Sequence, residues 1–486
     1  MSLRLSDLVK RDLAVDPEIN GVTADSRKVR PGFLFAALPG SKVDGAAFAA
    51  KAVQDGAAAV IAARDLALAA PTIASPDPRR AYALAAAAFY GAQPATVVAV
   101  TGTNGKTSVA NFCRQIFAGA GFRAGSMGTL GVRLSGPGGF EEQVTPPGLT
   151  TPDAADVAEL MARAAGRGVT HFAMEASSHG IDQRRLDGVR LTAAGFLNLT
   201  QDHLDYHGTM GSYRAAKLRL FETLLPRGGW AVLNADSEAY GAFAAAAVSA
   251  GQSVASVGEA GQAIRLVERR LLPEGQRLAL ELDGRAYQVV LPLAGGFQAS
   301  NALVAAGLCL AAGLDLEATL AGLERLEGAP GRLQRVGAGP RGGEAYVDYA
   351  HTPDGLETVL KALRPHVRGR LIVVFGAGGD RDRGKRPMMG AIAAELADVA
   401  IVTDDNPRSE DPAVIRAEVL AGARGAREIG DRREAIRAAA AMLGDGDILV
   451  VAGKGHEQGQ IVAGVTHPFD DVAETAAALG LAPAHG

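Results

Sequence analysis

Cysteine is nearly missing: Cys113 and Cys309 are the only two in 486 residues. A disulfide framework is therefore excluded. Each lies in an apolar helical pattern, where it reads as a small core residue of a protein kept in a reducing compartment. Aromatic residues are scarce, at 5% with one Trp. Ala and Gly are abundant instead, which points to helices packed through small residues. Neither charge sign is in excess, since the formal net charge is -4. Nothing in that balance draws the chain toward nucleic acid or a membrane surface. No stretch reaches the ~18 uninterrupted apolar residues of a membrane span. The start, from Met1 to Asp12, has no apolar core of the secretory kind. A cytoplasmic protein is expected. Heptad runs, internal repeats and long low-complexity tracts are also missing.

What is present is a chain long enough for two to four domains. One stretch organises it. Val97-Val98-Ala99-Val100 is a short buried-strand pattern, and Thr101-Gly102-Thr103-Asn104-Gly105-Lys106-Thr107-Ser108 follows as a small-residue turn. A helical pattern through Val109, Phe112, Ile116 and Phe117 comes next. A strand, a glycine turn, Lys-Thr and a helix make a phosphate cradle. Backbone N–H groups and the helix N-terminus face an anion, Lys106 adds a positive charge, and the Thr107 hydroxyl can hold Mg²⁺. Val100 stands where the general phosphate-loop pattern wants its first glycine. Gly102 replaces it, which makes the loop tighter.

Residues 1–92 read as a small α/β unit. Its strands are expected near Val22, over Gly32–Leu38 and over Ala57–Ala62, its helices over Ala46–Gly56 and Ala81–Tyr90, and a loop over 39–45. Asp25-Ser26-Arg27 reads as a capped turn with a surface ion pair, or as a hydroxyl and a cation offered to a polar ligand. Residues 93–330 alternate strand and helix, the signature of a largely parallel sheet covered on both faces. Sites in such sheets gather at the C-terminal strand ends. Two further apolar runs there empty into acids and imidazoles, His171–Gly180 with Glu175 and Phe196–His207 with His203. A carboxylate on a neighbouring strand end can hold magnesium. In Pro146–Asp153, one of Thr150 and Thr151 is expected to cap the next helix, which leaves the other hydroxyl for a ligand. Asn301, at the start of an Ala-rich helix, is left between a structural hydrogen bond and a base contact. Gly328-Ala329-Pro330-Gly331 reads as a boundary. Residues 331–486 repeat the alternation. Three of their loops carry Arg381, Asp405 with Arg408, and Lys454 with Glu457. Acids and cations converging on one sheet edge suit a zwitterion such as an amino acid.

Together these motifs resemble the Mur ligases, the ATP-dependent amide-forming enzymes of peptidoglycan precursor synthesis, over nearly the whole chain. Within that family the chain is similar to the branch that adds the third amino acid of the stem peptide. Asp405-Asn406-Pro407-Arg408 carries that likeness, since the sequence goes with meso-diaminopimelate and lysine-adding relatives differ there. The extra carboxylate of that amino acid suits the guanidinium fork of Arg408. The resemblance implies three domains: a small α/β N-terminal domain for the UDP-sugar, a central mostly parallel phosphate-loop domain for ATP, and a Rossmann-like α/β C-terminal domain for the amino acid. It implies that Gly102, Thr103, Asn104, Gly105, Lys106, Thr107, Ser108, Asn301, Arg332 and Asp348 meet ATP. Ala24, Ser26, Thr150, Thr151, Ser177, Gln183 and Arg185 would hold UDP-MurNAc-L-Ala-D-Glu. Arg381, Asp405, Asn406, Pro407, Arg408, Gly453 and Glu457 would grip diaminopimelate. Lys106, Glu175, His203 and Lys217 would be catalytic. Mg²⁺ would be held by Thr107, Glu175, His203 and Lys217. From its own surroundings Lys217 reads as a solvated helix lysine, but it matches the lysine carbamylated to an anion in these enzymes. A monomer with small-molecule substrates is expected, without nucleic acid. The remaining alternatives are a sibling ligase using lysine, a folylpolyglutamate synthetase-like ligase, and a nucleotide-binding regulator without ligase chemistry. The last would lack Lys106, Glu175 or Lys217, and all three are present.

Overall fold

The computed structural model describes residues 2–40, 43–272 and 275–481. Ser41 and Lys42, in the loop expected over 39–45, lie outside the described residues. The chain forms two compact units. The first comprises Met1–Leu266, Glu281–Arg285 and Asn301–Gly322; the second comprises Val267–Leu280, Ala286–Ser300 and Leu323–Gly486.

In the first unit, Gly21–Thr23, Phe33–Ala36, Ala59–Ala62 and Thr72–Ala74 form a four-stranded parallel sheet. Leu34, Ala36 and Ile61 from its strands share a core with Tyr82, Ala86 and Phe89 of the Pro78–Tyr90 helix. That helix starts earlier than the pattern from Ala81 suggests. Proline is welcome in a first turn, where its missing N–H would go unpaired anyway, and Asp77 caps the end by accepting from Arg80 N. The helix expected over Ala46–Gly56 is a tight turn, Gly45–Phe48, leading into a short α-helix, Ala49–Gln54.

The larger sheet of this unit orders its strands Phe140–Thr145, Gly131–Gly136, Ala124–Gly128, His171–Glu175, Thr96–Thr101, Ala193–Phe196, Trp230–Asn234 and Ser253–Gly258. Thr96–Thr101 runs parallel to both of its neighbours. Its interior residues are buried on both faces, as parallel strands covered by helices must be. The phosphate loop therefore leaves the sheet between the strand end at Glu175 and the one before Asn198. The parallel pattern breaks at Gly131–Gly136 and Phe140–Thr145, which pair antiparallel. Ile264–Leu272, Gly275–Leu282 and Arg285–Leu291 also follow one another without an intervening helix. Half-exposed strands such as Ile264–Leu272, with Arg265, Glu268, Arg269 and Arg270, offer no apolar run to mark them. Asp153, and neither threonine before it, caps the Ala154–Gly166 helix, accepting from Ala155 N.

The second unit holds a sheet ordered Gln334–Ala338, Glu344–Asp348, Ile448–Ala452, Leu371–Phe375, Val399–Val402 and Arg427–Glu428. All but the first pairing are parallel. One face packs Val373, Phe375, Val402 and Val450 against Leu356, Leu360 and Met389. The other packs Val374, Ile401 and Val451 against Ile436 and Ala439. Behind the sheet, Arg432 and Asp471 form a fully buried ion pair, with Nε and Nη2 at 2.7 and 2.6 Å from the two carboxylate oxygens. Removing one partner strands the other charge. Asp471→Asn should cost about 3–5 kcal/mol in urea unfolding, whereas Arg432→Met with Asp471→Leu together should recover much of that loss.

Candidate active site

The chemistry of the first unit starts from the shape of one loop. Asn198, just past its strand, accepts from Thr103 N at 3.1 Å and Asn104 N at 2.9 Å through its side-chain carbonyl. Its carboxamide N–H returns a bond to Asn104 O at 3.2 Å. Gly105 turns the backbone into the helix at φ +90°, and a Cβ there would strike the Asn301 carboxamide. Asn301 lies inside its own helix, Gly296–Ala311, buried against this turn. The Lys106–Gly119 helix then begins, and its first N–H groups have no intrahelical acceptor. Lys106 folds back over the loop, and its Nζ donates to Gly102 O and Thr103 O, both at 2.8 Å.

Lys217 converges on the same point. Its Nζ donates to Gly102 O at 2.8 Å and sits 4.5 Å from the centre of the Tyr213 ring. The residue is 1% exposed, so the expectation of a solvated helix lysine is corrected. Its helix, Met210–Arg219, buries Tyr213, Ala216 and Lys217, while Gly211, Ser212, Arg214 and Ala215 are exposed. Burial, and next the like charge of Lys106, hold the Lys217 amine well below the usual lysine range.

Glu175 is buried at its strand end, accepting from Thr129 N at 2.8 Å. A hydrogen-bonded chain runs on from there. Thr129 Oγ1 meets Thr150 Oγ1 at 3.1 Å, Thr151 donates to Glu175 O at 3.1 Å, and Thr151 meets Ser177 Oγ at 2.9 Å. Arg185 donates to Thr151 O and to Gln183, and Gln183 to the Tyr206 hydroxyl. Five expected substrate residues are thus brought together. Ser177 also caps the short Ser178–Asp182 helix. Ala24 and Ser26 stay with the small sheet, where Asp25 caps the turn and pairs with an exposed Arg27, as the plainer reading had it. His203 adopts φ +52° and pairs with Asp202 at 3.4 Å.

In the second unit, four parallel strands end at Asp348, Phe375, Val402 and Ala452, and the loops after them enclose a cavity of about 320 Å³. Arg381, Asp405, Asn406, Arg408, Gly453 and Glu457 line it. Pro407 does not. It shapes the turn beneath, where its carbonyl sits so close to Gly379 that a Cβ there would collide. Arg408 is held at φ +53°, a left-handed conformation costing about 1–3 kcal/mol in a non-glycine residue. Its N–H bonds Ile461 O at 2.9 Å, and its guanidinium bonds Gly379 O at 2.8 Å. Behind the wall, Lys454 is buried and donates to Asn406 Oδ1 at 2.8 Å, with Asp405 and Glu457 at 3.5 and 3.8 Å. Asn406 in turn donates to Glu457 at 2.9 Å. Below the cavity, burial raises the Asp348 carboxyl to about 6, although it accepts from Leu333 N and Ala350 N and faces Arg332. Arg332 lies over the Tyr349 ring at 4.8 Å.

Tyr349, His351, Thr352 and Lys385 also line the cavity, and sequence motifs did not single them out as ligand contacts. Their signal was position: the first three follow the end of a parallel strand. Thr129 and Asn198 carried no signal, because each acts on residues distant in sequence. Among the described residues, no three His, Cys, Asp or Glu side chains gather into a metal-holding group. No helix there is long and apolar enough to cross a membrane.

A tight phosphate loop with two converging lysines, and a cavity of mixed charge at a second parallel sheet, mark a phosphate-loop enzyme with a further site for a charged small molecule. Three family profiles match successive parts of the chain: the Mur ligase family catalytic domain over residues 18–97, the Mur ligase middle domain over 100–309, and the Mur ligase glutamate ligase domain over 331–455. A Caulobacter vibrioides protein named UDP-N-acetylmuramoyl-L-alanyl-D-glutamate--2,6-diaminopimelate ligase is 70% identical, covering 99% of both chains. A solved structure of a ligase with that name shares 35% identity over 99% of both chains, with TM-score 0.76. A Mycobacterium tuberculosis folylpolyglutamate synthase complexed with ADP shares the fold, with TM-score 0.62 and 22% identity, over 78% of this chain and 92% of its own. The chain belongs to the Mur ligase family.

One group gives this site a pH signature. Burial first, then the Arg332 cation and the repulsion His351 adds when it is protonated, hold His456 down at about 4. An unfolded histidine titrates near 6.5, so between those values the unfolded state binds the extra proton. Stability should therefore fall as pH drops from 6.5 toward 4, by up to about 1.4 kcal/mol per unit from this group. Asp348, raised to about 6, acts in the opposite sense over part of that range, so the check is a comparison: urea unfolding at stepped pH should show a smaller acid-side loss in His456→Gln than in the wild type.

Proposed function

We propose that the chain joins meso-2,6-diaminopimelate to UDP-N-acetylmuramoyl-L-alanyl-D-glutamate, with ATP converted to ADP and phosphate. One observation carries this reading: Arg381 and Arg408 share one cavity with Asp405 and Glu457. A ligand with two carboxylates and two ammonium groups matches that wall. Lysine would leave one guanidinium facing no carboxylate. The diaminopimelate name of close relatives supports the same choice.

A carboxylate is a poor acyl donor, because oxide would have to leave. In the proposed first step, the γ-carboxylate of the glutamyl residue attacks the γ-phosphorus of ATP. An acyl phosphate forms and ADP departs. Both reactants are anions, so the step depends on charge stabilisation and alignment. Lys106 and the N-terminus of its helix stand ready for the phosphates, with Gly102–Ser108 as the cradle. The amine of diaminopimelate then attacks the acyl carbon, and phosphate leaves.

Mg²⁺ fits this neighbourhood by donor chemistry. The Thr107 hydroxyl and Glu175 carboxylate are hard oxygen donors, and an ion largely bound by triphosphate needs few protein ligands. His203 is the third candidate. Lys217 repels a cation as an ammonium. Its depressed basicity favours the neutral amine, which carbon dioxide converts to a carbamate with oxygen donors. When bound, the ion would neutralise charge on the transferring phosphoryl group. Asn301, Arg332 and Asp348 would meet the nucleoside. Thr150, Thr151, Ser177, Gln183 and Arg185, with Ala24 and Ser26, would hold the UDP-sugar dipeptide. The roles follow the expected domains, 1–92 for the UDP-sugar, 93–330 for ATP and 331–486 for the amino acid.

The test is phosphate release from ATP and Mg²⁺ with the UDP-sugar dipeptide and each candidate amine. Release should depend on meso-diaminopimelate and stay near background with L-lysine; release that ignores diaminopimelate sinks the proposal. Arg408→Ala removes charged hydrogen bonds of about 1.5–3 kcal/mol, so KM for diaminopimelate should rise roughly ten- to hundredfold while KM for ATP stays put.

A further inference from the structure

The incoming amine reaches a ligase as an ammonium, which has no lone pair for attack. Something must take its proton. The Tyr349–Thr352 turn sets His351 into the cavity wall. Its Nδ1 lies 2.7 Å from Tyr349 O. A carbonyl oxygen only accepts, so Nδ1 carries the hydrogen and Nε2 carries the lone pair. Among the described residues, no hydrogen bond occupies Nε2. The ring packs against Tyr349, with centroids 4.5 Å apart, and the His351 carbonyl accepts from Lys385 Nζ at 2.8 Å. The imidazole is therefore held in one tautomer by one bond and packed against one ring, while Lys385 fixes the backbone that carries it.

The groups facing this imidazole are Lys385, Arg332, His456, Asp405 and Tyr349. Burial is the largest influence and lowers its pKa from the usual 6.5. The Tyr349 carbonyl and Asp405 act upward, while Lys385 and Arg332 act downward. At neutral pH it is an uncharged base. The other candidates in the wall are worse placed. Lys385 spends its ammonium on the His351 carbonyl. Asp405 and Glu457 both face the buried Lys454 ammonium.

We propose that His351 is the catalytic base of amide formation, its Nε2 taking a proton from the ammonium group of the amino acid seated in this cavity. This rests on the ligation proposed above. An N–H bond of the ammonium breaks, its electron pair stays on nitrogen, and an Nε2–H bond forms. The freed amine bonds to the acyl carbon. The carbon–oxygen bond to phosphate breaks, its electron pair leaving with phosphate, and the second amine proton goes to that phosphate. The imidazolium returns its proton to water.

Two variants and a second nucleophile test this. His351→Asn keeps an N–H near Nδ1 for Tyr349 O, and His351→Gln puts a neutral amide near Nε2; neither offers a base. For diaminopimelate-dependent phosphate release, kcat should fall about a hundredfold or more in both. KM for diaminopimelate should change little, and the acid limb of the wild-type kcat profile, set by a group below 6.5, should vanish. Hydroxylamine is already neutral at pH 7 and traps an acyl phosphate as a hydroxamate. That partial reaction bypasses the proton transfer and should persist in both variants. If His351→Gln keeps the diaminopimelate rate, or if hydroxamate formation falls in step with ligation, His351 is not the base. If the wild-type protein forms hydroxamate but makes no use of diaminopimelate, the ligation reading fails instead.

Discussion

Two lysine side chains share one carbonyl. Lys106 and Lys217 both donate to Gly102 O at 2.8 Å, inside a wall where Lys217 has almost no contact with water. Like charges at that spacing repel, and burial adds a desolvation cost, so the arrangement is stable only if one lysine gives up its charge or anions arrive. The balance weighs most on Lys217, where burial and then the charge of Lys106 hold the amine well below the usual lysine range. The rest of the first unit serves this point. Asn198 fixes the loop so that Gly102 O can accept both bonds. The parallel sheet delivers Glu175 from the neighbouring strand. A site of this kind is primed for triphosphate and for an acidic acceptor.

The second unit handles charge differently. Its cavity wall mixes signs, and a framework of charged and amide groups behind it holds the lining loops in place. Lys454 holds Asn406 and stands near two carboxylates from the protein side. Arg386, fully buried, is tied to Glu410 and Glu418 and donates to Gly378 O at 3.1 Å, which braces the glycine-rich loop. The strained backbone at Arg408 is maintained by its bond to Ile461. Rigid loops on a parallel sheet can thus offer a doubly zwitterionic ligand separate partners for each charge.

Legibility in the sequence followed contiguity. Thr101–Ser108 and Asp405–Arg408 carry their chemistry on consecutive residues, so both were readable before any contact was known. The alternation of strands and helices was readable for the same reason: each buried strand is one apolar run. The strands from Gly131 to Thr145 and from Ile264 to Leu291 were not, because half-exposed edge strands interleave polar residues. Lys217 was legible only by resemblance, since a polar helix gives no local sign that one lysine turns inward. The tautomer of His351, the grip of Asn198 and the support from Lys454 depend on partners that only folding supplies. The helix cap at Asp153 shows the reverse case. A nearby acid outcompeted the threonines, and so left Thr151 for Glu175 and Ser177.

The carbamate proposed for Lys217 would relieve the crowding at Gly102 by putting an anion where a second ammonium would stand. The direct measurement is a ¹³C NMR spectrum of the protein equilibrated with ¹³C-bicarbonate. The account predicts one protein-bound carbamate resonance, absent from Lys217→Ala and from Lys217→Arg. A wild-type spectrum without that resonance, or a resonance that survives in Lys217→Ala, would contradict it.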